Sequence, residues 1–281
     1  MVEMAGAVTR PAPARAAAAA GKPAPRRRRP SAERVIAVAV PLALLALWEV
    51  AVRSGWIAAR FFPAPSAMFA ELWADLLSGK LLTDSIASIT RLVFGLTIGA
   101  VLGIVVGMGM ALSRMLDAAL GVSVQVLRAI PPITWIGFAI LWFGLGDRPA
   151  IFLIALGVVF PMLLNTYSGV KQVDVIYLRA ARNLGAHGWM LFKDIVLAAA
   201  LPSILTGLRV SMGLAWILVV VGELIGAPSG LGATLMRAQD YDQTDRMLAY
   251  MLLIGFYGYL SDLVVMGLSR RLLRWQRGID G

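Results

Sequence analysis

The chain has 281 residues, of which 59% are hydrophobic and 15% charged, against roughly 25% charged in an ordinary soluble domain. It holds no cysteine and a single histidine, His187, which excludes disulfides, thiolate zinc sites, cysteine nucleophiles and a multi-histidine metal cluster within one chain. The formal net charge is +10, but the basic residues flank apolar runs, so membrane orientation accounts for them and no nucleic-acid partner is expected.

The apolar residues arrive in long blocks, which predicts an all-α membrane protein. Residues 1–32 are rich in Ala, Pro and Arg, with RRRR at Arg26 to Arg29. They offer little to bury and read as a disordered basic cytoplasmic tail preceding a membrane domain over 33–281. The first span is expected at Val35 to Val52. The prolines of FFPAPS, Phe61 to Ser66, interrupt regular helix, and an amphipathic stretch from Ala67 to Leu77 is expected at the membrane surface. Further spans are expected at Ile89–Leu112, Leu120–Phe143, Ala150–Tyr167, Ile204–Ile225 and Leu248–Leu268, six in all, each close to the roughly 20 residues a hydrocarbon core requires.

Six spans place both termini on one side. The tail, the segment 171–202 and the C-terminus carry more Lys and Arg than the opposite loops, so the termini are expected in the cytoplasm of a multi-pass inner-membrane protein. In the second span Gly95, Gly99, Gly103 and Gly107 recur every four residues and form one stripe. Two readings fit it: tight helix packing within one subunit, or a seam that slides during transport. In the third span Pro131 and Pro132 force a kink or break. A break is tolerated in lipid where freed carbonyls face protein or a water-filled path, so Pro131, Pro132 and Trp135 are candidates for lining a translocation path, beside a purely structural kink.

Between the fourth and fifth spans lies KQVDVIYLRAARNLGAHGWMLFKDIVLAAALP, Lys171 to Pro202. It is too charged to cross a bilayer and too patterned for a slack loop. Asp174 suits a helix N-cap and Gly185 a C-terminal stop. The helix between them is too short to be stable alone in water and needs a surface to dock on. Ile176, Ala180 and Asn183 share one stripe, with Tyr177, Ala181 and Leu184 adjoining; the two alanines admit a close-packed partner. A second amphipathic stretch, Trp189 to Leu197, leads to Pro202.

This segment resembles the cytoplasmic Glu-Ala-Ala loop of ATP-binding-cassette (ABC) importer permeases. Ala180, Ala181 and Gly185 stand at motif positions, as do Ile195 and Leu197. Arg179 stands where the motif has Glu and Ala198 where it has its first Pro, while Leu201 and Pro202 supply a Leu-Pro pair four residues later. FFPAPS, LRAIPPITWIGFAILWFGLG (127–146), ALPSILTGLRVSMGLAWILVVVGELIGAPSGLG (200–232) and RRLLRW (270–275) resemble the nitrate, sulfonate and taurine branch of that family. The resemblance implies a six-helix type I importer permease with cytoplasmic coupling helices. Asp174, Arg179, Ala180, Ala181, Gly185, Leu201 and Pro202 would form its ATPase-coupling region. It further implies separate ABC ATPase subunits that carry ATP and Mg, a second permease copy forming a homodimer, surrounding membrane lipid, and a soluble binding protein that delivers a small anion.

The chain itself carries no GxxxxGK[ST] loop, no HExxH and no GxSxG, so it is not expected to be an enzyme or to hold a cofactor. The alternative reading is an ion-coupled secondary transporter, which would need titratable groups deep in the membrane. Glu49, Glu223 and Asp262 are the candidates. Glu223, after the run ILVVVG, stands either in a pairing with an arginine or near the outer mouth of the path.

Overall fold

The computed structural model describes residues 30–273, and their regular structure is entirely helical. The basic tail up to Arg29 and the residues after Leu273 lie outside the described residues. The chain falls into two units, 1–47 and 48–281. The first contributes the opening turns of α1 (Pro30–Arg53), a 24-residue helix with Pro41 inside it. Everything below concerns the second.

Short connections follow from local chemistry. In α2 (Pro65–Leu77) the helix opens on a proline, whose fixed φ and missing N–H suit the first helical position. Gly79, at φ +76°, turns the chain into α3 (Lys80–Leu112). The Ser113 hydroxyl accepts from the Leu116 N–H and caps α4 (Arg114–Ala129). Ile130, forced extended ahead of Pro131, ends α4. A single 3-10 turn, Pro132–Trp135, then leads into α5 (Ile136–Phe143). The expected third span is thus two short helices bent by 88°, a full break where the sequence left kink and break open.

Helix α6 (Asp147–Lys171) has an acid in its first turn and a base in its last, both favoured by the helix dipole. A short α7 (Val175–Asn183) follows. The next helix is continuous from Gly188 to Leu224 and comprises α8 (Gly188–Leu191), a π turn over Phe192–Leu197 and α9 (Ala198–Leu224). The expectation that Leu201 and Pro202 close the polar segment ahead of a separate span is corrected: both lie inside this helix. The π turn ends at Leu197, five residues ahead of the Pro202 ring. Two further helices, α10 (Leu231–Asp240) and α11 (Thr244–Leu272), complete the chain.

Among the described residues four helices are long and apolar enough to cross a membrane: Lys80–Leu112, Asp147–Lys171, Gly188–Leu224 and Thr244–Leu272; the bent pair α4–α5 makes a fifth candidate. Helices α3, α5 and α9 pack against α6, and α11 packs on α9, α10 and α2. The glycine stripe of α3 lies directly against α6: a methyl at Gly95 would meet Ile154 Cβ at 2.5 Å, one at Gly99 the Ala155 carbonyl at 2.5 Å, and one at Gly103 Met162 Cβ at 2.6 Å. Gly107 meets the Leu163 backbone. Residue numbers rise together along this seam, so α3 and α6 run parallel, and α4–α5 must carry the chain back between their opposite ends.

On the other side α6 and α9 run antiparallel, with Ala150 against Gly222 and Ser203 against Gly169. The buried core is Ile154, Val158 and Met162 of α6 with Trp216, Leu218 and Val219 of α9 and Tyr250 of α11. With no water in lipid to reward burial of apolar surface, such close backbone approach and dispersion supply much of the helix association.

Candidate functional site

Three features stand out from this frame. The first is α7, at the bundle end where α6 finishes. The Asp174 carboxylate accepts from the Ile176 N–H at 2.8 Å and caps the helix. At the other terminus Gly185 adopts φ +89°; its N–H donates to the Arg182 carbonyl (3.0 Å), and the Ala186 N–H reaches back to that of Ala181 (2.9 Å). This is a Schellman closure, which a left-handed glycine makes at least strain. Ala181 and Ala186 face inward and are buried, whereas Arg179 and Ala180 are exposed. The outward face also holds Ile176, 69% exposed, Tyr177, 65%, and Leu184, 89%. The two alanines therefore divide: Ala180 belongs to the free surface, and Ala181 seats the helix on its own chain. Arg179 presents a cation on that free surface. Leu201 and Pro202, partly buried in α9, do not join it.

The second feature is a groove of about 580 Å³ beside the break. Pro132 lines it, with Ile130 and Ile133, Phe160 and Leu164 of α6, and Leu214 and Ile217 of α9; Arg128 stands at its edge. Pro131 is exposed beside it, and Trp135 is half-buried against Phe138, ring centroids 6.1 Å apart. Of the four residues offered for a path, Pro131, Pro132, Trp135 and Glu223, Pro132 lines this groove.

The third feature goes beyond the sequence expectation, which held only that Glu223 either pairs with an arginine or stands near the outer mouth of the path. At the N-terminal end of α3, Asp84, Ser88 and Arg91 are buried on one face. Arg91 Nη1 donates to Glu223 Oε1 at 2.5 Å and to the Ser229 carbonyl at 2.7 Å, while its Nε and Nη2 donate to Asp147 Oδ1 at 2.8 and 2.6 Å. Glu223 also accepts from the Ser88 hydroxyl (2.7 Å) and the Gly232 N–H (2.8 Å). Asp84 accepts from the Gly230 N–H (2.9 Å) and the Thr234 hydroxyl (2.7 Å). Gly230, at φ +130°, has no room for a side chain: its Cβ would strike the Glu223 carboxyl and Arg91.

The cluster ties α3, the start of α6, the end of α9 and the loop before α10 into one knot. Glu223 is fully enclosed and paired with Arg91. A smaller relative lies alongside: Arg246 of α11 forms an ion pair with Asp75 of α2, which also accepts from the Tyr250 hydroxyl at 2.9 Å. The sequence did carry a signal, because Asp84, Ser88, Arg91 and Gly95 continue the glycine stripe at helical spacing.

Long apolar helices around a central span, a broken helix beside an open groove and a capped amphipathic helix outside the bundle define a multi-pass helical membrane protein of the permease kind. Comparison with known proteins makes this specific. The family model described as binding-protein-dependent transport system inner membrane component matches residues 99–278, and the chain belongs to that family. It is 38% identical over 242 residues to an aliphatic sulfonates transport permease protein of Escherichia coli, covering 86% of this chain and 92% of the relative. The taurine transport system permease protein of Escherichia coli is 31% identical over 250 residues, covering 87% and 91%, and the bicarbonate transport system permease protein of Synechococcus elongatus is 33% identical over 258 residues, covering 86% and 92%. Among solved structures, a chain of the MetNI methionine ABC transporter shares the fold at TM-score 0.60 and 19% identity, covering 70% of this chain and 98% of that one. The protein is thus a permease component of an ABC transporter.

Proposed function

We propose that this chain is the transmembrane subunit of an ATP-driven importer for a small anion of the sulfonate or taurine type. Two copies form the path, two separate ABC ATPase subunits bind and hydrolyse Mg-ATP, and a soluble binding protein delivers the solute. The observation that carries the reading is α7. A nine-residue helix, capped at both ends and presenting Ile176, Tyr177 and Leu184 outward, is too short to hold itself in water and has an unpartnered apolar face. An ATPase cleft is the partner that the family supplies, with Asp174, Arg179, Ala180 and Gly185 framing the contact, Ala181 seating it, and Leu201 and Pro202 at the base of the helix that leaves it.

The six-span topology adds α1 and the bent pair to the four long helices, with residues 1–32 as a tail and both termini cytoplasmic. Basic residues support this orientation: α7 and the C-terminal turns of α6 and α11 carry Lys171, Arg179, Arg182, Arg270 and Arg271 at one end of the bundle. The solute class rests on the sulfonate and taurine relatives.

The test is co-purification with the ABC ATPase of the same transport system. Tyr177→Asp and Leu184→Asp are expected to abolish ATPase retention while the permease still inserts and elutes as a single species. Retention at the wild-type level in both variants would overturn the docking assignment.

A further inference from the structure

Arg128 stands in the last turn of α4, where the helix dipole favours a cation. Its guanidinium is exposed and makes no hydrogen bond or ion pair among the described residues. It is the one charged side chain lining the groove of about 580 Å³ beside the α4–α5 break. The rest of the wall comes from the middle of α6, at Phe160 and Pro161, and from Leu214 and Ile217 of α9. The groove therefore opens midway along two membrane-length helices, whichever face is cytoplasmic. An unpaired cation at that depth is costly and marks a binding function unless a counter-ion arrives.

A neighbouring groove of about 560 Å³, between α9 and α11, provides the contrast. Its two charges, Arg209 and Asp262, neutralise one another through bonds of 2.7 and 2.8 Å. A negative solute is attracted to the first groove and finds no unmatched charge in the second.

We propose that the Arg128 groove is a solute-binding site within the membrane, and that its occupant is the transported organic monoanion. Arg128 takes the charged head and the apolar wall takes a body of a few carbons. This rests on the importer reading and deepens it, because it assigns to the permease a contact that selects solute by charge and length. A guanidinium suits a trigonal array of anionic oxygens, since its planar donors bond two at once.

The experiment is uptake by the complete complex of permease, ATPase and binding protein in proteoliposomes, with ethanesulfonate and hexanesulfonate as probes. Arg128→Gln is expected to lower uptake of both about tenfold, with ATPase activity stimulated by the binding protein within about twofold of wild type; Arg128→Lys should recover most of the uptake. Leu214→Trp, which narrows the groove without touching the charge, is expected to reduce hexanesulfonate uptake about tenfold more than ethanesulfonate. Unchanged uptake by Arg128→Gln overturns the site, as does equal loss in the Lys and Gln variants. Loss of the permease dimer in Arg128→Gln would give the groove to the second copy, and a defect confined to vesicles of anionic lipid would give it to lipid; either result overturns the proposal. A wild-type complex that couples ATP hydrolysis to uptake of other solutes but moves neither sulfonate overturns both this site and the proposed solute class, whereas failure of the site alone leaves sulfonate uptake intact in every variant.

Discussion

Arg91 and Glu223 are 132 positions apart in the chain and 2.5 Å apart in space. Neither could be buried alone, since an unpaired charge in a medium without water costs several kcal/mol, and each has its remaining bonding capacity filled by Asp147, Ser88, Ser229 and Gly232. Glu223→Ala leaves Arg91 buried with a single ion-pair partner, so we expect it to destabilise the protein by about 3–5 kcal/mol. Unfolding in detergent titrations would measure this; a change below about 1 kcal/mol would refute the account. The sequence contains half of this result. Asp84, Ser88 and Arg91 share one helix face, but a span begun at Ile89 leaves Arg91 near its end, where snorkelling to the surface explains it cheaply. The missing half was which arginine Glu223 pairs with, because tertiary pairing at long separation has no periodicity to reveal it. Gly185 is the opposite case. A glycine directly after a run of helix formers signals a left-handed stop, and the structure has it at φ +89°. Gly185→Ala should cost about 1 kcal/mol locally, read as faster amide exchange in α7 with the rest of the protein unchanged.

At the scale of elements, the seam between α3 and α6 is a close backbone contact. Four glycines put the two backbones in contact from Gly95 to Gly107, about three turns of helix, and any side chain there must push a helix aside. Gly103→Leu is expected to destabilise by more than about 3 kcal/mol or to prevent assembly of a monodisperse protein, because it exceeds ordinary overpacking, typically 1–3 kcal/mol. Gly121→Ala and Gly213→Ala, where a Cβ meets nothing within 4 Å, should be tolerated in the same expression and melting assays. The stripe was legible from spacing alone. Its partner was not, nor its parallel sense, since both depend on α4–α5 returning the chain before α6 begins. Similarly, the break at Pro131 and Pro132 was legible as a backbone necessity, but its size was not, because the neighbours rather than the prolines fix how far the halves swing. On α7 the division between Ala180 and Ala181 was hidden for a related reason: adjacent residues on a helix point about 100° apart, and only packing decides which side is covered.

At the scale of the whole molecule, the chain alternates between two ends of the bundle. One end gathers α2, the start of α3, α10 and the charge cluster; the other gathers α7 and the end of α11. A reporter fused after Gly281 is expected to be active in the cytoplasm and one inserted after Gly226 outside it. Activity of the Gly281 fusion on the outer face would reverse the orientation. The helix Gly188–Leu224 joins these ends. At 1.5 Å per residue its 37 residues extend about 55 Å, from beside α7 to the carboxylate that Arg91 holds. Its one wide turn lies near the α7 end, and beyond Leu197 the helix runs on to Leu224 with Pro202 inside its first turns. On the proposed reading, in which α7 is pushed by an ATPase, we expect a displacement at the foot of this helix to be felt at its head, against the hydrogen bonds of Glu223. The helix would then act as a pushrod bolted at its far end to the charge cluster, and the strength of that bolt would set the smallest stroke force that can be felt there.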